Sequence, residues 1–359
     1  YSEKVYGEHD YEVLASAREG LQRQEDHFGS KQRHDTDGYN IIPFGYCTYR
    51  NRSDDGKFAF NINTISEKAI VSKFYPVFRF TNANSTFMAE FLNSSPRVKK
   101  KLSVLAVGTS QVVLSFEALK AAKFDLPCKD EQDKIAAFLE CLNARIENQR
   151  TLVVALKKYK RGVVDGIFSR KLNFSYPQTW AELEISELFM PISDKGYSDK
   201  IVLTIVQGEG TMPRDSVDRR IAYDKSTISS YKRVLPNDFI LHLRSFEGGL
   251  EIVNEEGVVS PAYTILRARN EIIPLFFYTF FRSYWFINSK LRISVEGIRD
   301  GKSINMNTFW HIKVPVPSIE EQRHISALIS SIDNRIKIAE FEYKRLLRIR
   351  VGLMQQLFI

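Results

Sequence analysis

A nine-residue motif, and the long helix that follows it, occur twice in this chain. The first copy is Pro127-Cys-Lys-Asp-Glu-Gln-Asp-Lys-Ile135 and the second is Pro317-Ser-Ile-Glu-Glu-Gln-Arg-His-Ile325. Proline, the Glu-Gln pair and isoleucine recur at a fixed offset of 190 residues, and residues near the end of each helix keep the same offset. A register held this long predicts two copies of one unit, in the order domain, helix, domain, helix.

Both motifs start a stretch in which apolar residues recur at steps of three and four, which predicts a coiled-coil seam. A single apolar stripe could simply pack on its own domain, but two matched stripes after separate domains favour pairing with each other. Basic residues interrupt the two seams at the same position, and Ser318 with Glu321 predicts a capping box at the second helix. The predicted seam residues are Ile135, Leu139, Leu142, Ile146, Val153 and Leu156, then Ile325, Ile329, Ile332, Ile336, Tyr343 and Leu346.

The remaining sequence is rich in short strand patterns, and a short helix is predicted from Phe87 to Asn93 with its cap near Asn84 or Ser85. The predicted fold class is α+β, with two pseudo-repeated globular domains separated by two long helices that form an antiparallel coiled coil. The predicted boundaries are 1–127 for the first domain, 128–171 for the first helix, 172–316 for the second domain and 317–359 for the second helix. Because the first domain lacks a counterpart of the second domain's opening segment, its amino-terminal part is expected to be missing.

The composition is that of a globular protein with a basic surface. The chain has 359 residues, 43% of them hydrophobic, and a formal net charge of +8. Such a charge favours a polyanionic partner, most plausibly nucleic acid. The three cysteines have no CxxC spacing, which favours a reducing cytoplasm over a disulfide framework. The sequence shows no signal peptide and no apolar run of the ~20 residues that cross a bilayer, so no membrane partner is expected.

Motifs for catalysis are missing from the sequence. It has no GxxxxGK[ST] phosphate loop, no HExxH, and no cysteine–histidine cluster with metal-ligand spacing. Ser260-Pro-Ala-Tyr263 is superficially similar to the catalytic tetrapeptide of adenine methyltransferases. It lacks the second proline, however, and the sequence has no glycine-rich cofactor loop to accompany it. The sequence therefore predicts a chain that is not an enzyme and holds neither metal nor cofactor.

Polar loops of both domains carry the residue types that contact DNA. Arg and Lys bind phosphates and guanine edges, Asn and Gln bind adenine edges, and Ser and Thr contact either. For any one of these residues a solvated surface position is the simpler interpretation; as sets on matching loops of two repeated domains they predict DNA contacts. The first-domain candidates are Arg18, Arg23, Lys31, Arg33, Arg50, Arg52, Lys57, Thr109, Ser110 and Gln111, and the second-domain candidates are Arg214, Arg219, Arg220, Lys232, Arg244, Arg299, Lys302 and Ser303.

The repeated motif resembles that of the specificity subunit of type I DNA restriction-modification systems. In that family a Pro-x-x-x-Glu-Gln-x-x-Ile start opens a long heptad helix that ends in a glycine and phenylalanine segment, and the pattern occurs once after each of two domains. The matching residues here are Pro127, Glu131, Gln132, Ile135, Gly162 and Phe168, then Pro317, Glu321, Gln322, Ile325, Gly352 and Phe358. The resemblance covers essentially the whole chain, and Cys128 departs from it where the second copy has Ser318.

The resemblance implies a sequence-specific DNA-binding subunit that reads a bipartite, asymmetric site in double-stranded DNA. It implies docking of modification (methyltransferase) subunits, two in number, and of restriction (translocase and endonuclease) subunits. These partners, not this chain, would hold S-adenosylmethionine, ATP and Mg. Two alternatives from other classes are a self-contained DNA methyltransferase or nuclease, and a coiled-coil adaptor that binds only proteins.

Overall fold

The computed structural model describes residues 1–18, 20–29, 35–172, 180–217, 225–242, 247–297 and 302–358. It divides into two compact units, and each unit takes part of both long helices. The first unit comprises Tyr1–Thr151 and Glu340–Ile359, and the second comprises Leu152–Ala339. Each unit therefore combines a globular domain with a segment of α5 (Lys129–Phe168) and a segment of α9 (Ile319–Leu357).

The described residues of the first unit form nine short strands and four helices before α5. The strands form a four-stranded sheet in the order β2-β1-β7-β3, a three-stranded sheet in the order β6-β4-β8, and the pair β5-β9. These elements are β1 (Glu12–Ala17), β2 (Gly20–Arg23), α1 (Gln24–Phe28), β3 (Asn40–Ile41), β4 (Cys47–Tyr49), β5 (Arg52–Ser53), β6 (Phe60–Ile62), β7 (Ala69–Val71), β8 (Val77–Phe78), α2 (Ser85–Ser94), α3 (Pro96–Leu105), β9 (Val112–Val113) and α4 (Phe116–Ala121).

In the second unit, a four-stranded sheet in the order β11-β18-β15-β16 lies beside four strand pairs: β10-β21, β12-β13, β14-β17 and β19-β20. The elements are β10 (Ala181–Glu184), α6 (Ile185–Leu188), β11 (Phe189–Ile192), β12 (Leu203–Val206), β13 (Gly210–Pro213), β14 (Lys232–Val234), β15 (Phe239–His242), β16 (Glu251–Ile252), β17 (Gly257–Val259), β18 (Tyr263–Ala268), α7 (Pro274–Phe281), β19 (Val295–Glu296), β20 (Ser303–Ile304), α8 (Met306–Trp310) and β21 (Lys313–Val316). The second unit also contains a π-helical turn at Phe286–Lys290 and short 3-10 helices at Arg214–Ser216, Lys225–Ser230 and Leu291–Ser294.

The two domains repeat each other in strand pairing as well as in sequence. In the first unit the central strand β4 places Cys47 opposite Ile62 of β6, and in the second unit β15 places Phe239 opposite Ile252 of β16. On its other side, β4 pairs with β8 as β15 pairs with β18. The hairpin β1-β2 corresponds to β12-β13: β1 pairs in parallel with β7, and Val202, directly before β12, makes a parallel bridge to Val258 of β17. The duplication predicted from the motif therefore extends through the domains.

Within each unit the two long helices run antiparallel. In the first unit Ala136 and Leu139, near the start of α5, share a core cluster with Met354 and Phe358 at the end of α9. The second unit has the reverse arrangement, because the end of α5 shares its main core cluster with the start of α9. The predicted α+β fold with repeated domains and an antiparallel pair of long helices is thus confirmed.

The predicted seam residues lie on the packed side of the helices. Eight of them are buried and the others are half-buried, as expected for a seam flanked by solvent. The buried ones are Leu139, Ile146, Val153, Ile325, Ile329, Ile332, Ile336 and Leu346, and the half-buried ones are Ile135, Leu142, Leu156 and Tyr343.

The two capping predictions have different outcomes. The α2 cap is confirmed, because the Asn84 side chain accepts a hydrogen bond from the Phe87 amide at 3.0 Å. At α9 the Ser318 hydroxyl accepts from the Glu321 amide at 3.2 Å, which is one half of a capping box. The Glu321 carboxylate, however, accepts a hydrogen bond at 2.8 Å from the indole of the half-buried Trp180. The prediction of a reciprocal box is wrong, because the Glu321 side chain binds this indole and not the Ser318 amide.

Candidate nucleic-acid interface

In the first unit, one acidic turn gathers three of the predicted DNA contacts. Arg18, at the tip of the β1-β2 hairpin, is ion-paired with Asp55 at 2.7 Å, and the Lys57 ammonium lies 3.8 Å from the same carboxylate. The Gln111 amide, on the loop before β9, donates to Asp54 at 3.0 Å. The Ser53 hydroxyl, joined by the Lys57 amide and Arg18, lowers the pKa of Asp55 to about 2. The turn therefore holds three exposed polar side chains from separate loops close together.

Arg18 and Lys57 also line a cleft of about 820 Å³ whose lining includes Asn143 and Arg350 of the long helices. Lys99 of α3 lines the same cleft, although the sequence prediction did not include it. It belongs to a run of exposed basic residues on α3: Arg97, Lys99, Lys100 and Lys101. Four basic residues among five positions were a visible signal of a phosphate-binding surface.

The other candidates of the first unit are spread more widely. Arg23 pairs with Glu12 at the far end of the hairpin, 3.2 Å away. The Arg52 guanidinium lies 5.5 Å from the centre of the Phe74 ring, a cation–π arrangement. The side chains of Arg50, Thr109 and Ser110 are exposed on loops, whereas Lys31 and Arg33 lie outside the described residues.

In the second unit, two candidates meet around Tyr263. Arg214 and Tyr263 line a cleft of about 620 Å³ together with Gln207 and His242. Lys232 donates to the Tyr263 carbonyl at 2.7 Å, and burial lowers the pKa of its ammonium. Lys302 is exposed and Ser303 is half-buried at the β19-β20 hairpin, away from this cleft's lining. The remaining candidates, Arg219, Arg220, Arg244 and Arg299, lie outside the described residues.

Both hairpins are held by a buried side chain at the same position of the matched sheets. In the first unit the Asn61 amide on β6 donates to the Ser16 hydroxyl at 2.9 Å and to the Ala17 carbonyl at 2.8 Å. In the second unit the Glu251 carboxylate on β16 accepts from the Gly208 amide at 2.9 Å. Sequence reasoning missed these anchors because the residue types differ between the copies.

The repeated glutamine of the motif makes the same two hydrogen bonds in both units. Gln132 donates to the Pro127 carbonyl at 2.9 Å and accepts from the Asn84 amide at 3.0 Å. Gln322 donates to the Pro317 carbonyl and accepts from the amide of Ile273, each at 3.0 Å. We call this pair of contacts the glutamine clamp. It joins the start of each long helix to the start of the aromatic helix of its own domain, α2 or α7.

Among the described residues no group of three or more His, Cys, Asp and Glu side chains is placed to hold a metal ion. No helix within the described ranges is both long and apolar enough to cross a membrane.

Comparison with known proteins decides the family. A family model described as the type I restriction modification DNA specificity domain matches residues 5–156 and again residues 177–348. The chain belongs to the type I specificity family. The two matches correspond to the two repeats, each of which takes in a domain and most of the helix after it.

Two specificity subunits from Methanocaldococcus jannaschii resemble the chain. The putative type I restriction enzyme MjaX specificity subunit is 24% identical over 224 residues, which cover 58% of this chain and 51% of that protein. The type I restriction enzyme MjaVIII specificity subunit is 24% identical over 215 residues, covering 58% of this chain and 47% of that protein. The chain thus spans about half the length of the curated relatives it matches.

Solved structures of the type I specificity family share the fold. The specificity subunit of a type I restriction-modification system from M. genitalium matches with a TM-score of 0.52 at 19% identity, covering 97% of this chain and 88% of that one. A chain from a structure described as showing complex assembly and conformational transition of the type I R-M system matches with a TM-score of 0.55 at 17% identity. That match covers 89% of this chain and 83% of the other.

Proposed function

We propose that this chain is the DNA-recognition subunit of a type I restriction-modification complex and performs no chemical step itself. Each unit reads one half of a bipartite, asymmetric site in double-stranded DNA and so directs adenine methylation and cleavage by partner subunits. The observation that carries the proposal is the duplication: two domains of matched strand pairing, each clamped to a long helix by the same glutamine contacts. Membership of the type I specificity family supports it.

The polar loops and clefts are the proposed DNA-contacting surfaces. In the first unit the group around the Asp54–Asp55 turn and the basic face of α3 supply cations for phosphates, while Gln111 supplies an amide suited to base edges. In the second unit the cleft at Arg214 and Tyr263 supplies similar chemistry. Because each domain has its own set, the two half-sites are read independently.

Exposed apolar side chains on the long helices are the proposed docking surface for the modification subunits. Such residues on a solvent face are a common sign of a protein interface. They are Phe138, Phe341, Ile349 and Val351 in the first unit, and Leu152, Val154, Tyr159 and Ile338 in the second. We further propose that two modification subunits bind, that restriction subunits join them, and that S-adenosylmethionine, ATP and Mg are bound by these partners.

The proposal is tested by reconstituting the full chain with its modification subunits and mapping methylated adenines on a random-sequence duplex library. We expect one bipartite site, two short fixed half-sites separated by a fixed unread gap. Methylation by the chain alone would overturn the non-catalytic assignment. Binding without sequence preference, even with the modification subunits present, would overturn the assignment as the recognition subunit.

A further inference from the structure

We infer that two polar layers in the seam fix the register of α5 against α9. In the first unit Arg350 donates to the Asn143 side chain at 2.8 Å and to the Glu90 carboxylate at 2.6 Å. In the second unit the Lys160 ammonium lies 2.6 Å from the Asp333 carboxylate. All five side chains are partly shielded from solvent, and Lys160 and Arg350 stand at positions of the seam that are mostly apolar.

The two layers are copies of each other. Arg350 follows Lys160 by the repeat offset of 190, and Asp333 follows Asn143 by the same offset. Each layer therefore pairs the basic interruption of one helix with a short polar residue of the other. The basic interruptions seen in the sequence are thus paired positions, one in each unit, and not defects of the seam.

Sliding the helices by one heptad in either direction breaks both layers. One direction places Asp333 opposite Val153 and Arg350 opposite Ala136; the other places Asp333 opposite Ile167 and Arg350 opposite Arg150. A carboxylate then faces a buried apolar side chain, and the guanidinium faces either a methyl group or a like charge. Leaving a shielded charge without a partner is strongly unfavourable, so only the observed register satisfies both layers.

The apolar seam residues do not discriminate in this way. At most seam positions a heptad slip brings Ile, Leu or Val against another aliphatic residue, which costs little because such pairs are of similar volume; Tyr343 is the exception among the predicted seam residues. Single polar positions in coiled-coil seams are known to select register at some expense of stability. The apolar residues therefore hold the helices together, whereas the two polar layers select which residues face each other.

The test measures register directly by spin-label distances in the full chain, with the exposed Cys128 and Cys141 replaced by serine. Labels at Lys158 and Arg323 report on the second unit. A one-heptad slip changes their separation along the helix axes by about 10 Å, because each helical residue advances about 1.5 Å.

The first variant, Lys160→Leu with Asp333→Leu, removes the layer, and we expect a second distance population beside the native one. The charge exchange Lys160→Asp with Asp333→Lys keeps a paired layer and should return a single population. The matched control replaces an exposed ion pair of α9 by leucine, Arg345→Leu with Glu342→Leu, and it should leave the distances unchanged.

Labels at Asn148 and Gln355 report on the first unit in the same way, with Arg350→Leu and Glu90→Gln as the layer variant. A single native population in both layer variants, with unfolding temperatures at or above that of the original chain, would overturn the inference. If a double variant fails to fold, Lys160→Asp alone decides: an unaltered distance distribution refutes the lock, and recovery of one population on adding Asp333→Lys supports it.

A second measurement rests on the proposed function. With modification subunits present, the layer variants should methylate sites with more than one gap length while the half-sites stay the same. Because the spin-label distances need no DNA, a wrong functional proposal and a wrong register lock give different results. A fixed gap together with two distance populations would show that the register lock is real but does not set the gap.

Discussion

Glu251 is a buried carboxylate that joins three elements of the second unit. It accepts from the Gly208 amide of the β12-β13 hairpin, from the Tyr278 hydroxyl at 3.0 Å, and from the Arg282 guanidinium that follows α7. Burial, then the neighbouring Glu251 charge, raises the pKa of Tyr278, so the phenol remains a donor across the ordinary pH range. The hairpin beside the Arg214 cleft is therefore anchored by charge.

Replacing Glu251 with alanine should lower the free energy of unfolding of the second unit. Arg282 would lose its partner in a site where it is only a quarter exposed, and the hairpin amide would lose its acceptor. Breaking such a pair costs about 3 kcal/mol, the low end of the range because of that partial exposure. Urea denaturation of the variant measures the loss. The exposed Glu182→Ala is the control, and equal stabilities of the two variants would contradict the anchor.

Asp55 is a second residue whose removal has a defined effect. Its carboxylate pairs with Arg18 and lies near Lys57, so it weakens the attraction of both for phosphates. The Asp55→Asn variant should bind duplex DNA of any sequence roughly threefold more tightly at low salt, with a steeper salt dependence. Fluorescence anisotropy across a salt series measures the affinity for duplex DNA. The control variant is Glu320→Gln, which changes the net charge by the same amount on a helix of the other unit. The same gain in both variants would show that net charge alone is responsible.

At the scale of elements, each long helix is tied to its domain by one glutamine. Gln322→Leu keeps the side-chain size but removes a donor and an acceptor from a buried site, leaving the Pro317 carbonyl and the Ile273 amide unpaired. We expect the free energy of unfolding to fall by about 2 to 3 kcal/mol. Gln132→Leu, at the matched position, should give a similar loss. Chemical denaturation checks both, and an effect confined to one unit would show that the clamps are not equivalent.

Gly162 and Gly352 are interior helical glycines at matched positions, and an added Cβ would meet nothing within 4 Å at either. Since glycine costs a helix about 1 kcal/mol relative to alanine, Gly162→Ala and Gly352→Ala should each stabilise the isolated chain by up to about that amount. Thermal unfolding measures the gain, with Lys158→Ala as the control, because lysine at this exposed helical position has nearly the same helix propensity as alanine. If the modification subunits pack closely there, the same variants should assemble more weakly in size-exclusion analysis.

The sequence predicted the helices, their pairing and their polar interruptions because the repeat offset fixes all three at once. It did not predict what the interruptions contact: Glu90, which completes the layer at Arg350, lies on α2, far away in the chain. It also missed the Asn61 and Glu251 anchors, whose equivalence appears only in the strand pairing. The capping box at Ser318 is only half formed, because the Glu321 carboxylate binds Trp180, a residue distant in the sequence. Local patterns do not contain such long-range partners.

For the whole molecule, the proposed role of the helices as a spacer gives a prediction about DNA. Deleting residues 145–151 from α5 and 342–348 from α9 removes one heptad from each helix while keeping both polar layers intact. The helices shorten by about 10 Å, roughly three base pairs at 3.4 Å each. Methylation mapping should find a shorter gap between unchanged half-sites. An unchanged gap would refute the spacer role.

The antiparallel arrangement also bears on how the chain folds as it is synthesised. One core cluster of the first unit needs Met354 and Phe358 to cover Phe87 and Leu139, so this cluster cannot close until residues 354–358 have left the ribosome. The second unit, Leu152–Ala339, is complete earlier although it begins later in the sequence. A chain cut after residue 339 should therefore expose apolar surface on the first domain and spare the second. Until then this apolar surface stays exposed on the nascent chain, which favours aggregation.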